Sequence, residues 1–199
     1  MLESRRVIDR APRPPHLRRV PRVEDASSTR HDYLDGEIYA LSGGTPDHAA
    51  LAGAAISILG NGLPRGYRVF TSDLRVRVVE TGLSTYPDGA VICGTSARAS
   101  DDHHAVVNPV LLVEVTSPST EEYDRGEKLR NYQQLPSLRE VLIISHREPR
   151  VTLIRREDEG RWTSSDFRDG QAVTLSSVGM SLEVDDLYRD GLEDLDQRS

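Results

Sequence analysis

Apolar positions show no periodic pattern through residues 1–30, where the prolines of APRPPHLRRVPR deny the chain a regular helix. In DYLDGEIYALSGG, residues 32–44, a DG turn leads into the alternating strand EIYAL, which stops at glycine. PDHAALAGAAISILG, residues 46–60, has small apolar residues at helical spacing, with Pro46 at an early helix position and Gly60 as a C-terminal stop. Its alanines and glycines predict close packing. YRVFTS and DLRVRVV read as two half-buried strands or one bent strand, because Leu74, Val76 and Val78 alternate with charged residues. GAVIC is the next strand, after the loop ETGLSTYPD. Beyond the polar loop TSARASDDHH, NPVLLVEVTS is apolar on both faces from Val110 to Val115 except at Glu114, as expected of a central strand. A helix is predicted from SPST to about Leu135, with Ser119 and Glu122 as a capping box and Pro136 as its stop. EVLIIS, RVTLIRR, RWTSSDF and AVTLSS then read as further strands, and MSLEVDDLY leads into the acidic end.

Composition adds limits. A chain of 199 residues can bury one substantial core, and with aromatics at 5% that core must be largely aliphatic. The net charge of −7 argues against a general nucleic-acid binder. That charge is uneven, however. Residues 1–30 hold eight arginines against Glu3, Asp9, Glu24 and Asp25, a net of +4. The expected organisation is a flexible basic arm over 1–29, one domain over 30–190 and an acidic tail over 191–199. The arm reads either as disordered chain or as a phosphate-contacting extension. Cys93 is the single cysteine, which fits a reducing cytoplasm, and its place in AVIC predicts a small core residue. No stretch approaches the roughly 20 apolar residues of a membrane span.

The candidate chemistry starts at Glu114. A carboxylate inside a buried strand is costly unless it is paired or bound to a metal. Asp88, directly after Pro87 in the loop that opens the preceding strand, is the candidate second carboxylate. A divalent cation between the two would turn their repulsion into shared attraction, and a hard cation such as Mg²⁺ takes oxygen ligands of this kind. The main-chain carbonyl of Val115 could complete the shell. Lys128 is the single lysine among 25 basic residues. It follows Asp124 and precedes Tyr132 at four-residue steps, so the three share one helix face. From there an ammonium could orient an attacking water or meet a phosphate oxygen. Each part also has a plainer explanation. Asp88 could be a turn residue, Asp124 and Lys128 a surface ion pair of about 0.3–0.5 kcal/mol, and Glu114 the partner of a buried arginine.

The strings YPDGAVICG (86–94) and LLVEVTSPSTEEYDRGEKLRNYQQL (111–135), with RHDYLDGEIYALSGGTPDH (30–48) and SDLRVRV (72–78), resemble the Uma-type family of restriction endonucleases, in the PD-(D/E)XK nuclease superfamily. The resemblance covers roughly residues 30–156. It implies an α+β fold, a restriction-endonuclease-like mixed β-sheet flanked by helices, here with extra C-terminal strands. It implies Asp88 and Glu114 as metal ligands and Mg²⁺ or Mn²⁺ as cofactor. The superfamily lysine expected two positions after Glu114 is Thr116 here, and Lys128 on the following helix supplies it instead. Asp32, His48, Asp73, Asp124 and Tyr132 match further family positions. The implied function is metal-dependent hydrolysis of DNA phosphodiester bonds in the cytoplasm of a bacterium. Cutting both strands needs two active sites, which is the ground for expecting a homodimer. The alternative is a catalytically silent module of the same fold that binds DNA or a protein partner.

Overall fold

The computed structural model describes residues 44–189 and Leu192 in full, and the backbone of three N-terminal strands. These are β1 (Val7–Arg10), β2 (His31–Leu34) and β3 (Glu37–Ala40). The rest of the expected arm over 1–29, and the tail over 191–199 apart from Leu192, lie outside the described residues.

Helix α1 (Pro46–Gly62) follows. Thr45 caps it, its side chain accepting the His48 N–H at 3.3 Å, and Pro46 occupies the first turn. Then come β4 (Tyr67–Thr71), β5 (Arg75–Val78), β6 (Leu83–Thr85), β7 (Gly89–Cys93), β8 (Ala105–Val106) and β9 (Leu111–Val115). A helical segment over 121–132, here α2, leads to β10 (Glu140–Ile144), β11 (Arg150–Arg156) and β12 (Trp162–Arg168). The hairpin β13 (Ala172–Leu175) and β14 (Met180–Glu183) and the short α3 (Val184–Leu187) end the described fold.

The strands form two six-stranded sheets and the separate hairpin. The first sheet runs β1-β3-β2-β6-β5-β8, and the second β12-β11-β10-β9-β7-β4. In the second, β9 pairs parallel with β10 across the α2 crossover and antiparallel with β7, so the fold is α+β with a mixed sheet, as the sequence implied. All five β9 residues are buried. Alternation along β9 and β10 feeds two cores. Leu111, Val113, Val115, Leu142 and Ile144 face α1, the hairpin and α3. Leu112, Val141 and Ile143 face β5, β6 and the region following α2.

Three expectations are corrected. The loop before GAVIC contains β6, three buried residues that join the first sheet. Cys93 is exposed rather than core, because β7 outruns β9: the β7–β9 pairing ends at Val91, leaving residue 93 beside Tyr67 of the edge strand β4 alone. The Ser119–Glu122 capping box does not form. Thr120 is the N-cap and makes no side-chain cap bond, while the Ser117 hydroxyl contacts those of Ser119 and Thr120 at 3.1 and 2.9 Å.

Candidate functional site

Asp88 and Glu114 meet because of strand register. The β7–β9 pairs are Val91↔Leu111, Ala90↔Leu112 and Gly89↔Val113. One step further puts position 88 across from 114. Asp88 is anchored there, its Oδ2 accepting the Val115 N–H at 2.8 Å. Gly89 permits the close approach of α1 over this corner, since a Cβ at 89 would stand 2.9 Å from Ile56 Cδ1.

Helix α2 brings the other groups. In a straight α-helix, four-residue steps drift by about 40° each around the axis. The stretch Asp124–Lys128 is instead a single π-helical turn between two short α-helical pieces. Its wider winding takes back part of that drift, so Asp124, Lys128 and Tyr132 all face the β9 strand. Lys128 Nζ donates to Glu114 Oε2 at 2.8 Å and lies 3.5 Å from Asp124 Oδ1. The Tyr132 hydroxyl donates to Glu114 Oε1 at 2.6 Å. Glu114, Asp124 and Lys128 are each at most 5% exposed. The Asp124–Lys128 pair is therefore no surface ion pair, and the buried partner of Glu114 is a lysine, not an arginine.

Charge is unbalanced here. Burial raises the Glu114 carboxyl to about 8, Asp124 and Asp88 adding to the shift against the opposing pull of Lys128. His48, in the first turn of α1, sits with Nε2 3.4 Å from Asp88 Oδ2. Burial lowers its pKa, but the bond to Asp88 and that charge, the Val115 backbone and Asp124 outweigh it and hold the imidazole above its ordinary value. Three carboxylates thus crowd around one ammonium and one imidazole.

These groups lie in a cleft of about 890 Å³. Asp88, Glu114, Val115, Asp124, Lys128 and His48 line it. Tyr132 stands behind Glu114. Asp73 does not line it; it lies exposed in the turn between β4 and β5, its N–H donating to Thr71 Oγ1 at 3.4 Å. Asp32 is on β2, paired with Tyr39 and next to Tyr33, which pairs with Ser84 of β6; its side chain lies outside the described residues. Sequence reasoning missed Tyr86 and the hydroxyl turn Ser117–Thr120, which also line the cleft. Tyr86 stands two residues before Asp88, and that place was its signal.

Among the described residues, no three His, Cys, Asp or Glu side chains form a ready metal cage. The donor set nevertheless fits a hard cation. Mg²⁺ needs only one or two carboxylates and keeps several waters. Burial first, and then the nearby Asp124 and Asp88, make the ionised form of Glu114 costly, and a divalent ion at this corner would favour that form. Among the described residues no helix is long and apolar enough to cross a membrane.

Comparison with known proteins bears on the fold and the family. A solved structure from Anabaena variabilis, titled "putative nuclease belonging to DUF820", superposes with a TM-score of 0.66 over 82% of this chain and 92% of that one, at 19% identity, and so shares the fold. Two uncharacterized proteins of Synechocystis sp. are similar in sequence. One, slr1290, is 35% identical over 167 residues, 83% of this chain and 87% of its own length. The other, sll1609, is 29% identical over 140 residues, 70% of this chain and 79% of its own. A family model matches residues 14–185, well beyond the 30–156 read from motifs. By that match the chain belongs to the Uma2 family, described as "Putative restriction endonuclease".

Proposed function

We propose that the protein is a metal-dependent DNA endonuclease that hydrolyses phosphodiester bonds. The observation that carries this reading is the convergence of Asp88, Glu114 and Lys128 in one cleft, through the β7–β9 register and the π turn of α2. Family membership supports it. Asp88 and Glu114, with the Val115 carbonyl, would hold Mg²⁺ or Mn²⁺. The bound ion would supply Lewis-acid neutralisation of phosphate charge and a more acidic water. The chain's own residues do the positioning. Asp88 is fixed by the Val115 N–H, and Tyr132 holds one Glu114 oxygen so that the carboxylate keeps its rotamer. Lys128 presents an ammonium on a flexible stem, a point donor suited to a water or phosphate oxygen where a planar guanidinium is not. His48 steadies Asp88 from the α1 side.

The test is cleavage of plasmid DNA with Mg²⁺ or Mn²⁺. Lys128→Ala should lose at least about 100-fold in rate, on the scale of removing one charge-stabilising donor. Lys128→Arg keeps the buried positive charge, and with it the fold, yet should fail similarly. A Lys128→Ala protein that cuts at the parental rate refutes the assignment.

A second reading is a silent module that keeps the fold and binds DNA or a protein. One observation favours it: both Glu114 oxygens are already engaged, by Lys128 and Tyr132. In that case Mg²⁺ and Mn²⁺ would leave the melting temperature unchanged. An ion bound only by the folded protein would raise it.

A further inference from the structure

Beside Asp88, the cleft is lined by Tyr86. Its hydroxyl accepts a hydrogen bond from Arg75 Nε at 2.8 Å, and the Arg75 guanidinium lies 5.5 Å from the centre of its ring. Arg75 NH1 meets Asp102 Oδ2 at 2.6 Å, with both side chains at least 93% buried. The other Asp102 oxygen accepts the His104 N–H at 3.0 Å. Two positions along β5, Arg77 reaches Asp101 at 3.2 Å, so β5 grips the same loop twice. A buried ion pair seldom adds net stability over an apolar one. Here it ends on an aromatic ring at the cleft surface, and its effect is to fix that ring.

The rest of the lining divides by chemistry. Ala52, Gly53 and Ile56 of α1 are apolar, whereas Ser117, Ser119 and Thr120 offer hydroxyls. Such walls suit a strand that carries both phosphates and flat apolar rings. A base can stack on a protein ring only when it has left the duplex stack.

We propose that Tyr86 contacts the substrate directly. An unpaired nucleobase of a DNA strand stacks on its ring, next to the phosphate that a cation held by Asp88 and Glu114 would attract, and Arg75 and Asp102 are positioning residues for that ring. The place of the phosphate rests on the nuclease reading; the stacking rests on Tyr86.

The experiment measures binding by fluorescence anisotropy, with the full chain and Ca²⁺ in place of Mg²⁺. Two end-labelled probes are compared: a single-stranded oligothymidylate, and an abasic phosphodiester chain of equal length. The parent should prefer the base-bearing strand by at least about 5-fold, the lower end of one stacked base. Tyr86→Ala should bring the ratio close to one. Tyr86→Phe keeps the ring and should retain most of it, and Asp102→Asn should fall between. A Tyr86→Ala protein that weakens both probes equally, or neither, overturns the proposal, as does a parent without preference. The nuclease reading fails separately: Lys128→Ala could cut at the parental rate while the Tyr86-dependent ratio persists. A parent that binds neither probe overturns the stacking proposal, while the nuclease reading stands or falls on plasmid cleavage.

Discussion

Two glutamates are buried in neighbouring strands of the second sheet, and their surroundings give them different roles. Glu140 pairs with Leu111 at the start of the β9–β10 ladder, on the face covered by the hairpin, whereas Glu114 pairs with Ile143 near its end, on the opposite face. Glu140 accepts from Arg155 Nε at 2.8 Å, from the Ser176 and Ser177 N–H groups at 3.1 Å each, and from the Ser177 hydroxyl. Its charge is fully answered by donors, so it latches the loop between β13 and β14 to the sheet. Glu114 has one ammonium, one phenol and two other carboxylates nearby, and is answered only in part. Glu140→Ala should cost about 3 kcal/mol by stranding those donors and the arginine, and leave any Mg²⁺-induced rise in melting temperature intact. Asp88→Asn should abolish that rise. Thermal melts of both variants with and without Mg²⁺ check the pair, and a Mg²⁺ response that survives in Asp88→Asn argues against a metal at this corner. The difference between the two acids was only half legible. Glu114 stood out because apolar residues flank it on both sides. Glu140 opens its strand, and three of its donors come from a loop more than thirty residues later, which no local pattern reveals.

At the scale of elements, the sequence showed periodicity well and pairing poorly. Helix α1, the central strand β9 and the four-residue spacing in α2 could be read because each repeats over a dozen residues or rests on a continuous apolar run. The strands β6 and β8 could not, having three and two residues and therefore no period to detect. The two-sheet division also escaped, since it depends on contacts such as Tyr33↔Ser84 between distant segments. The π turn has no signature in the letters DRGEK; it accompanies the contacts of Lys128 and Tyr132 with Glu114. Where α1 crosses β7, backbone spacing follows from one residue. A side chain at Gly89 would meet Ile56 Cδ1 at 2.9 Å and Val113 Cβ at 3.2 Å. Gly89→Ala should therefore destabilise the fold by about 1–3 kcal/mol through overpacking. It should also lower DNA cleavage more than that loss alone explains, because α1 carries His48 to Asp88. Urea denaturation with a parallel rate measurement separates the effects. Unchanged stability would mean that Ile56 gives way freely and that the spacing is not fixed here.

At the scale of the whole molecule, the site and the C-terminal strands occupy different parts of the fold. The cleft lies at one corner, where β7, β9, α1 and α2 meet. The last strands are not one extension of the sheet: β12 lengthens its edge, while the β13–β14 hairpin turns back to cover a face. Val173, Leu175 and Leu182 of that hairpin are buried against the same core as Leu51, Ala55 and Leu59 of α1, with Val184 and Leu187 of α3 closing the layer. On this arrangement the C-terminal strands stabilise the scaffold and none of them supplies a group to the cleft. Leu182, 1% exposed, is a clean probe. Leu182→Ala removes a buried aliphatic side chain and leaves a cavity, at a cost of about 2–5 kcal/mol. In a chain of this size that lowers the melting temperature by roughly 4–20 °C. Well below that melting temperature, any DNA cleavage per folded molecule and any increment in melting temperature produced by Mg²⁺ should match the parent. Melts with and without Mg²⁺, and rates at low temperature, test this. A variant that lost its Mg²⁺ increment while still folded would show that the hairpin's packing reaches Asp88 and Glu114 through α1, making the two halves of the molecule one mechanical unit.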